Sequence, residues 1–246
     1  MRAIVMAGGK GTRLHPYTMA LPKPLMPVGQ WPILELMLRQ LAHYGIKRVT
    51  ITVNHMANLI MAFVGSGEGL GLEIDYAIED EPRGTIGPLA HIKGLADDGP
   101  FLVMNGDLLT DLDFSAFNRA HRTSDAMITV ATCTREVNVD LGVMEFDDDG
   151  RLVSFREKPV LPLTVSMGIY AMHPSALQHV PTDRPFGFDD LMKVALSKKL
   201  SVRPFSFQGL WLDIGRPEDY GNASELLDRY RRRFCPWEPS ASEPRP

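Results

Sequence analysis

The residues best suited to chemistry in this chain stand at a few separated places. Near the start, Ala7-Gly8-Gly9-Lys10-Gly11-Thr12-Arg13-Leu14 is followed by Leu21-Pro22-Lys23-Pro24. Glycines let backbone come close to an anion and adopt positive φ. Successive backbone N–H groups can then form an anion-binding concavity, and Arg13 and Lys23 add positive charge from two points along the loop. Two carboxylates stand further on, Asp107 in Val103-Met104-Asn105-Gly106-Asp107 and Asp213 in Trp211-Leu212-Asp213-Ile214-Gly215. Magnesium takes one or two carboxylates together with phosphate oxygens, so Asp107 and Asp213 are candidate Mg²⁺ ligands. Glu157-Lys158-Pro159 adds a lysine pinned before a proline, which could contact a second phosphate. Each feature has a plainer alternative. The loop could be a tight turn with two solvated cations, Asp107 reads equally well as a turn aspartate, and Lys158 alone reads as an exposed turn lysine. Asp213, between Leu212 and Ile214, has no evident capping role.

Spacing excludes two familiar phosphate loops. Gly8-Gly9-Lys10-Gly11 lacks the four-residue gap before Gly-Lys-Ser/Thr of a Walker loop. Leu14 stands where the dinucleotide fingerprint needs its third glycine. The loop therefore suits a nucleoside triphosphate or a sugar phosphate held in another way. No Ser/His/Asp or Cys/His arrangement suggests a protein nucleophile.

These residues need elements to position them. The 246 residues, 44% hydrophobic, suffice for one large domain. A net charge of −4 argues against bulk electrostatic binding to nucleic acid or a membrane surface. Cys133 and Cys235 lack metal-ligand spacing and read as free thiols of a reducing cytosol. No long apolar signal segment opens the chain, and no apolar run approaches the roughly 20 residues of a membrane helix. A cytoplasmic protein is expected.

Arg2 to Met6 reads as a short strand feeding the glycine loop. Helices are expected over Pro32–His43, Met56–Val64, Pro88–Leu95 and Leu112–Arg122, the last capped by Asp111 or Asp113. Strands alternate with them at Lys47–Val53, Leu72–Ile78 and Phe101–Met104, which predicts a parallel sheet with crossovers. The second half reads as strands at Ala126–Thr132, Gly142–Phe146, Leu152–Arg156 and Thr164–Met172, with Asp147-Asp148-Asp149-Gly150 as a hairpin turn. Helices near Pro174–His179 and Asp189–Leu196 follow, then strands at Leu200–Phe207 and Leu210–Ile214. A last helix runs from Pro217 to Arg233. Residues 236–246, rich in Pro, Ser and Glu, read as a disordered tail. The rest, 1–235, reads as one domain.

The ordered motifs resemble those of sugar-1-phosphate nucleotidyltransferases, and in particular a short mannose-1-phosphate guanylyltransferase-like form without a β-helix domain. The glycine loop, Leu21-Pro22-Lys23-Pro24, Gly84-Thr85, Asn105-Gly106-Asp107, Gly142, Glu157-Lys158-Pro159, Gly168-Ile169-Tyr170 and Trp211-Leu212-Asp213-Ile214-Gly215 come in that family's order over most of the chain. The resemblance implies an α/β fold, a Rossmann-like three-layer sandwich with a mixed, mostly parallel sheet of glycosyltransferase-A type. Residues 1–125 would mainly bind nucleotide and 126–235 mainly sugar phosphate. It implies Mg²⁺-dependent in-line attack of a sugar-1-phosphate oxygen on the α-phosphorus of an NTP, with release of pyrophosphate. Ala7, Gly8, Gly9, Gly11, Thr12, Arg13, Lys23 and Gly106 would then belong to the nucleotide site. Glu79 and Gly84-Thr85 would lie near the base. Asp107 and Asp213 would bind Mg²⁺, Lys158 the sugar phosphate, and Glu157, Gly142 and Gly168 the sugar side. Arg13, Lys23, Asp107, Lys158 and Asp213 are the implied catalytic set. Dimers are frequent in that family, so a homodimer is implied, although no apolar stripe in the sequence marks an interface.

Glu79-Asp80-Glu81-Pro82-Arg83-Gly84-Thr85-Ile86-Gly87-Pro88-Leu89 is similar to the base loop of guanylyltransferases acting on mannose-1-phosphate and related sugars. Acidic side chains can accept from guanine N1–H and its exocyclic amine, so GTP is the favoured NTP. The acceptor would be of mannose-1-phosphate or heptose-1-phosphate type. Arg83 departs from the leucine common at its position. Uridylyl-, cytidylyl- and thymidylyltransferases remain alternatives, as does a silent paralogue that binds nucleotide sugar and regulates a partner. A glycosyltransferase would show a metal-binding Asp-x-Asp after a strand. Asp111-Leu112-Asp113 has that spacing but opens a helix, and reads as capping.

Overall fold

The computed structural model describes residues 1–239. Seven strands share one sheet: β1 (Arg2–Met6), β4 (Arg48–Val53), β5 (Glu73–Ile78), β6 (Phe101–Asn105), β8 (Ile128–Asn138), β11 (Val160–Met172) and β12 (Val202–Ser206), in the order β12-β8-β11-β6-β1-β4-β5. β11 runs antiparallel to both neighbours, and every other pairing is parallel. The sheet is thus mixed and mostly parallel, and strands from both halves of the chain build it. Small pairs join β2 (Pro27–Val28) to β3 (Trp31–Pro32), β7 (Leu108–Thr110) to β13 (Trp211–Asp213), and β9 (Val143–Phe146) to β10 (Leu152–Arg156).

Strand alternation builds the layers, because successive side chains leave opposite faces of a sheet. Ala3, Val5, Leu102 and Met104 face one core. There they meet α1 (Ile33–His43), α2 (Ala57–Val64) and α3 (Phe114–Arg122) through Leu34, Met37, Ile60 and Phe117. Ile4, Phe101 and Val103 face the second core, closed by Leu191 of α4 (Phe188–Lys198) and by Ile86 and Leu89. A third core lies outside the sheet. In it Leu14, Met26 and Val28 pack on Ala223 and Leu227 of α5 (Pro217–Arg229) and Phe234 of α6 (Arg231–Phe234). The C-terminal helices therefore hold the chain that follows the glycine loop.

Several expected elements shift. Pro88–Leu95 is only a 3₁₀ turn at Gly87–His91. The Leu112–Arg122 helix starts at Phe114, where the Asp113 side chain accepts from Ala116 N–H at 2.9 Å. Asp111 does not cap it: its carboxylate accepts from Leu210 N–H and pairs with Arg233, tying α3's approach to the C-terminal segment. The Pro217–Arg233 helix breaks at Tyr230 into α5 and α6. Within the expected tail, Trp237 packs on the third core and Glu238 pairs with Arg231 at 2.6 Å. Residues 240–246 lie outside the described residues. Both cysteines are free, and burial pushes the Cys235 thiol up to about 11. No helix among the described residues is long and apolar enough to cross a membrane.

At the amino ends of the strands, Arg2 is buried in a polar network. Its guanidinium donates to Thr50 Oγ1 (2.7 Å), Lys93 O (3.2 Å), Asp98 (3.1 Å) and Asp75 (2.8 Å). A buried ion pair stripped of one partner leaves an uncompensated charge. Arg2→Ala is therefore expected to lower stability by about 2–4 kcal/mol, read from urea unfolding midpoints. An unchanged midpoint would show that the network contributes nothing.

Candidate active site

The carboxyl ends of β1, β4, β5 and β6 converge, as ligand-binding crevices of open α/β sheets do. Gly8 and Gly9 follow β1, Asn54 follows β4, Glu79 follows β5 and Asp107 follows β6. With Arg13 and the Pro82–Thr85 loop they line a cavity of about 390 Å³. Gly11 closes the glycine loop in a left-handed conformation (φ +62°), and its carbonyl accepts from Thr18 Oγ1 at 2.9 Å. Gly106 donates its N–H to Met6 O at 2.9 Å, joining the β6 turn to the β1 loop. Ala7 donates to Thr52 O at 3.0 Å, and Thr12 begins the short 3₁₀ turn that carries Arg13.

The two aspartates meet through a strand pair. β7 and β13 run antiparallel with Leu108 opposite Asp213, and Ile214 N–H donates to Asp107 O at 3.1 Å. Burial raises the Asp213 carboxyl above the usual range, and the negative charge of Asp107 raises it further. Lys23 and Arg13 act in the opposite sense. The buried Lys23 ammonium pairs with Asp107 Oδ2, while Asp107 Oδ1 is buried with no partner. Lys23, far from Asp107 in sequence, is thus part of the carboxylate site.

Asp213 opens on a second cavity of about 230 Å³, shared with Arg135, Trp211 and Asp219. Trp211 Nε1–H donates to Met167 O at 3.0 Å, holding β13 against β11. Gly168 (φ +72°) sits at the irregularity of β11 and abuts the Asn105 side chain. Gly142 lies beside the Glu157 carboxylate. Glu157 and Lys158 are exposed, and Lys158 has a left-handed backbone (φ 42°), a conformation non-glycine residues adopt at a cost. Gly142, Glu157 and Lys158 line neither cavity.

Glu79 is half-buried, and that burial raises its carboxyl above the usual range. Its carboxylate faces Gly8 and accepts the Arg83 N–H at 3.1 Å, which partly offsets the shift. The loop beyond it is clamped to the start of α4. Ile86 and Gly87 donate to Phe186 O, Phe186 donates to Arg83 O, and Phe188 N–H donates to Thr85 Oγ1. Asn54, the first residue beyond the strand expected at Lys47–Val53, donates to Glu79 O at 2.7 Å and lines the cavity. Its place directly after a strand of the parallel sheet was the available signal. Thr18 and Phe186 carry no such signal.

Gly84 has φ +79°, and a Cβ there would lie 2.6 Å from Phe186 O. Gly84→Ala is expected to cost about 1–3 kcal/mol through forced backbone strain, measured by thermal or urea unfolding. A cost near zero would mean that the loop is not held in this conformation.

Residues 2–229 match the family model described as nucleotidyl transferase. The UTP–glucose-1-phosphate uridylyltransferase of Synechocystis is 30% identical over 241 residues, covering 91% of this chain and 62% of the relative. The mannose-1-phosphate guanylyltransferase catalytic subunit beta of Drosophila pseudoobscura is 32% identical over 224 residues, covering 89% of this chain and 60% of the relative. The chain thus spans about three fifths of the length of these curated relatives. HddC from Yersinia pseudotuberculosis, solved complexed with GMP-PN, superposes with a TM-score of 0.68 at 26% identity, covering 92% of this chain and 99% of that one. With the strand-end site and the sheet in place, the family match over nearly its whole described length makes this chain a member of the nucleotidyl transferase family.

Proposed function

We propose that the protein transfers a nucleotidyl group from an NTP to a sugar-1-phosphate, releasing an NDP-sugar and pyrophosphate. One observation carries this reading: the Asp107–Asp213 pair, with Lys23 against it, stands between a glycine-walled cavity and a second cavity. The first would take the triphosphate and base, and the second lies on the side from which an acceptor phosphate would approach.

Two anions must be brought together against their repulsion. Phosphoryl-type transfer asks the protein mainly for positioning and charge neutralisation. In this reading the N–H groups of Gly8, Gly9 and Gly11 hold the triphosphate and Arg13 neutralises it. Lys23 contacts phosphate while holding Asp107 in place. Lys158 meets the acceptor phosphate, with Glu157, Gly142 and Gly168 on the sugar side. The acceptor's phosphate oxygen forms a new bond to the α-phosphorus as the bond to the bridging oxygen of pyrophosphate breaks. The acceptor oxygen is already anionic, so no general base is needed.

The residues fit a Mg²⁺ ion. Asp107 and Asp213 supply hard oxygen donors, Asp107 Oδ1 is buried without a partner, and substrate phosphates would complete the shell. When bound there, Mg²⁺ would offset the charge of both phosphates and of the paired carboxylates. Among the described residues no three His, Cys, Asp or Glu side chains cluster as a metal site.

GTP is the favoured donor. The Glu79 carboxylate, walled by Gly8 and steadied by Arg83 N–H, can accept both guanine N1–H and the exocyclic amine. The guanylyltransferase relative and the GMP-PN complex of HddC support this, while the uridylyltransferase relative keeps UTP as the alternative. The acceptor is proposed to be of mannose-1-phosphate or heptose-1-phosphate type. The two free cysteines support a cytoplasmic setting.

A pyrophosphate-release screen of the common NTPs against a panel of sugar-1-phosphates tests the reading. Turnover with GTP is expected, exclusive use of dTTP or UTP would overturn the base assignment, and inactivity with every pair would overturn the enzyme. Asp107→Asn and Asp213→Asn should each lower Mg²⁺-dependent turnover on the order of 100-fold or more with the far-UV circular dichroism unchanged. Normal turnover in both would overturn the metal assignment.

A further inference from the structure

Two arginines line the first cavity, and they stand at different ends of it. Arg13 acts on the Asp213 carboxyl, at the end where the carboxylate pair lies. Arg83 acts on Glu79, and its positive charge opposes the upward shift that burial imposes on that carboxyl. Arg83 is fixed at three points. Its N–H donates to Glu79 Oε2 at 3.1 Å, its carbonyl accepts from Phe186 N–H at 2.8 Å, and its guanidinium donates to Thr182 O at 3.2 Å. Gly84 follows at once in a left-handed conformation packed on Phe186, which holds the backbone in place. Arg83 is also where the loop departs from the leucine common at that position, so this cation is particular to the chain.

A guanidinium carries five N–H donors, so the bond to Thr182 leaves most of them free. Among the described residues neither Glu79 nor Arg83 forms an ion pair, although the two charges act on each other. The cavity therefore has a donor group and a two-oxygen acceptor beside one another on its wall. Bases differ in the order of such groups along their edges. Guanine shows the O6 acceptor, then the N1–H and exocyclic amine donors, and its complement is a donor followed by two acceptors. Adenine and cytosine carry an amine where O6 stands and a bare ring nitrogen beside it. The amine would meet the guanidinium and the ring nitrogen the carboxylate. Uracil and thymine carry O2 where guanine has its amine, so the second carboxylate oxygen would meet another acceptor. Leaving buried polar groups opposed in this way is costly.

We propose that the Arg83 guanidinium donates to the 6-oxo group of the NTP's base, completing with the Glu79 carboxylate a donor–acceptor–acceptor edge that selects guanine. This rests on the GTP reading of the same cavity and names the side chain that enforces it. Hydrogen bonds from a charged donor are stronger than neutral ones, and a side chain already anchored at Thr182 loses little freedom when it binds.

The test is kcat/KM of the intact chain with GTP, 6-thio-GTP and ITP, for the wild type, Arg83→Leu and Arg83→Lys. 6-Thio-GTP replaces O6 by a weaker acceptor and keeps N1–H and the amine. ITP lacks only the amine, and so reports on Glu79. The wild type is expected to favour GTP over 6-thio-GTP by roughly fivefold. Arg83→Leu should lower kcat/KM for GTP about tenfold or more and bring the GTP-to-6-thio-GTP ratio near one, with the GTP-to-ITP ratio left at its wild-type value. Arg83→Lys, which keeps a charged donor, should recover part of the first ratio. Each ratio is taken on one preparation, so partial unfolding of a variant cancels. If Arg83 only braces the loop at Thr182, all three substrates fall alike in Arg83→Leu and the GTP-to-6-thio-GTP ratio does not move. That result overturns the proposal, as does a wild type that treats GTP and 6-thio-GTP equally. A wild type that uses other NTPs but not GTP overturns the base reading itself, which is a different outcome from either.

Discussion

Two like charges held side by side are the constraint on which the rest of this structure depends. Asp107 and Asp213 come from distant parts of the chain and are brought together by the antiparallel pairing of β7 with β13. Burial and mutual repulsion raise the Asp213 carboxyl. The arrangement survives because cations are built around it. Lys23 is buried against Asp107, and Arg13 adds its charge from the glycine loop. A buried charge is tolerated when it is paired, and the pairing here leaves one oxygen of Asp107 without a protein partner. A carboxyl raised by burial and by a neighbouring carboxylate, placed in a cleft, is the kind of group around which functional sites are built.

The supporting elements follow from that need. Lys23 can reach Asp107 only if the segment after the glycine loop is fixed. The third core does this by packing Leu14, Met26 and Val28 against α5 and α6. The last helices of the chain thereby position a lysine near its beginning. Asp111, tied to Leu210 N–H and Arg233, locks the same region from the other side. Along the first cavity, Glu79 is held between Asn54, which fixes its carbonyl, and Arg83, whose N–H engages its carboxylate. The Arg83–Gly87 loop is in turn pinned to Phe186 and Phe188 at the start of α4. The site is therefore a convergence of strand ends, each braced by a contact from elsewhere in the chain.

Much of the fold could be read from residue pattern. β-branched runs such as Arg48–Val53 and the broad apolar stripe of Ile33–His43 declare their elements locally. Alternation with short connections implied the parallel order of the first half. Pattern failed where geometry is decided by neighbours. Pro88–Leu95 has helical composition but closes only a 3₁₀ turn, because Ile86 and Gly87 just before it donate to Phe186 O instead. Asp111 and Asp113 look equivalent in sequence, yet one caps α3 and the other anchors the C-terminal segment. Strands β8 and β11 run longer than their apolar cores suggest, because ladder pairing continues through residues such as Arg135 and Glu136 that face solvent.

The sequence by itself determined the strand that feeds the glycine loop, the phosphate-suited residue types, and the two aspartates at strand ends. It also determined membership of a nucleotidyl transferase family, since ordered motifs are a property of the chain. Only the tertiary structure decided that Lys23 belongs to the Asp107 site, that Asn54 and Phe186 brace the loop after Glu79, and that the β9–β10 hairpin exposes an apolar face. The reason is physical. Local propensity and periodicity act over a few residues, whereas ion pairing, the shift of a carboxyl by its neighbour, and the covering of an apolar face depend on groups the fold brings together from far along the chain.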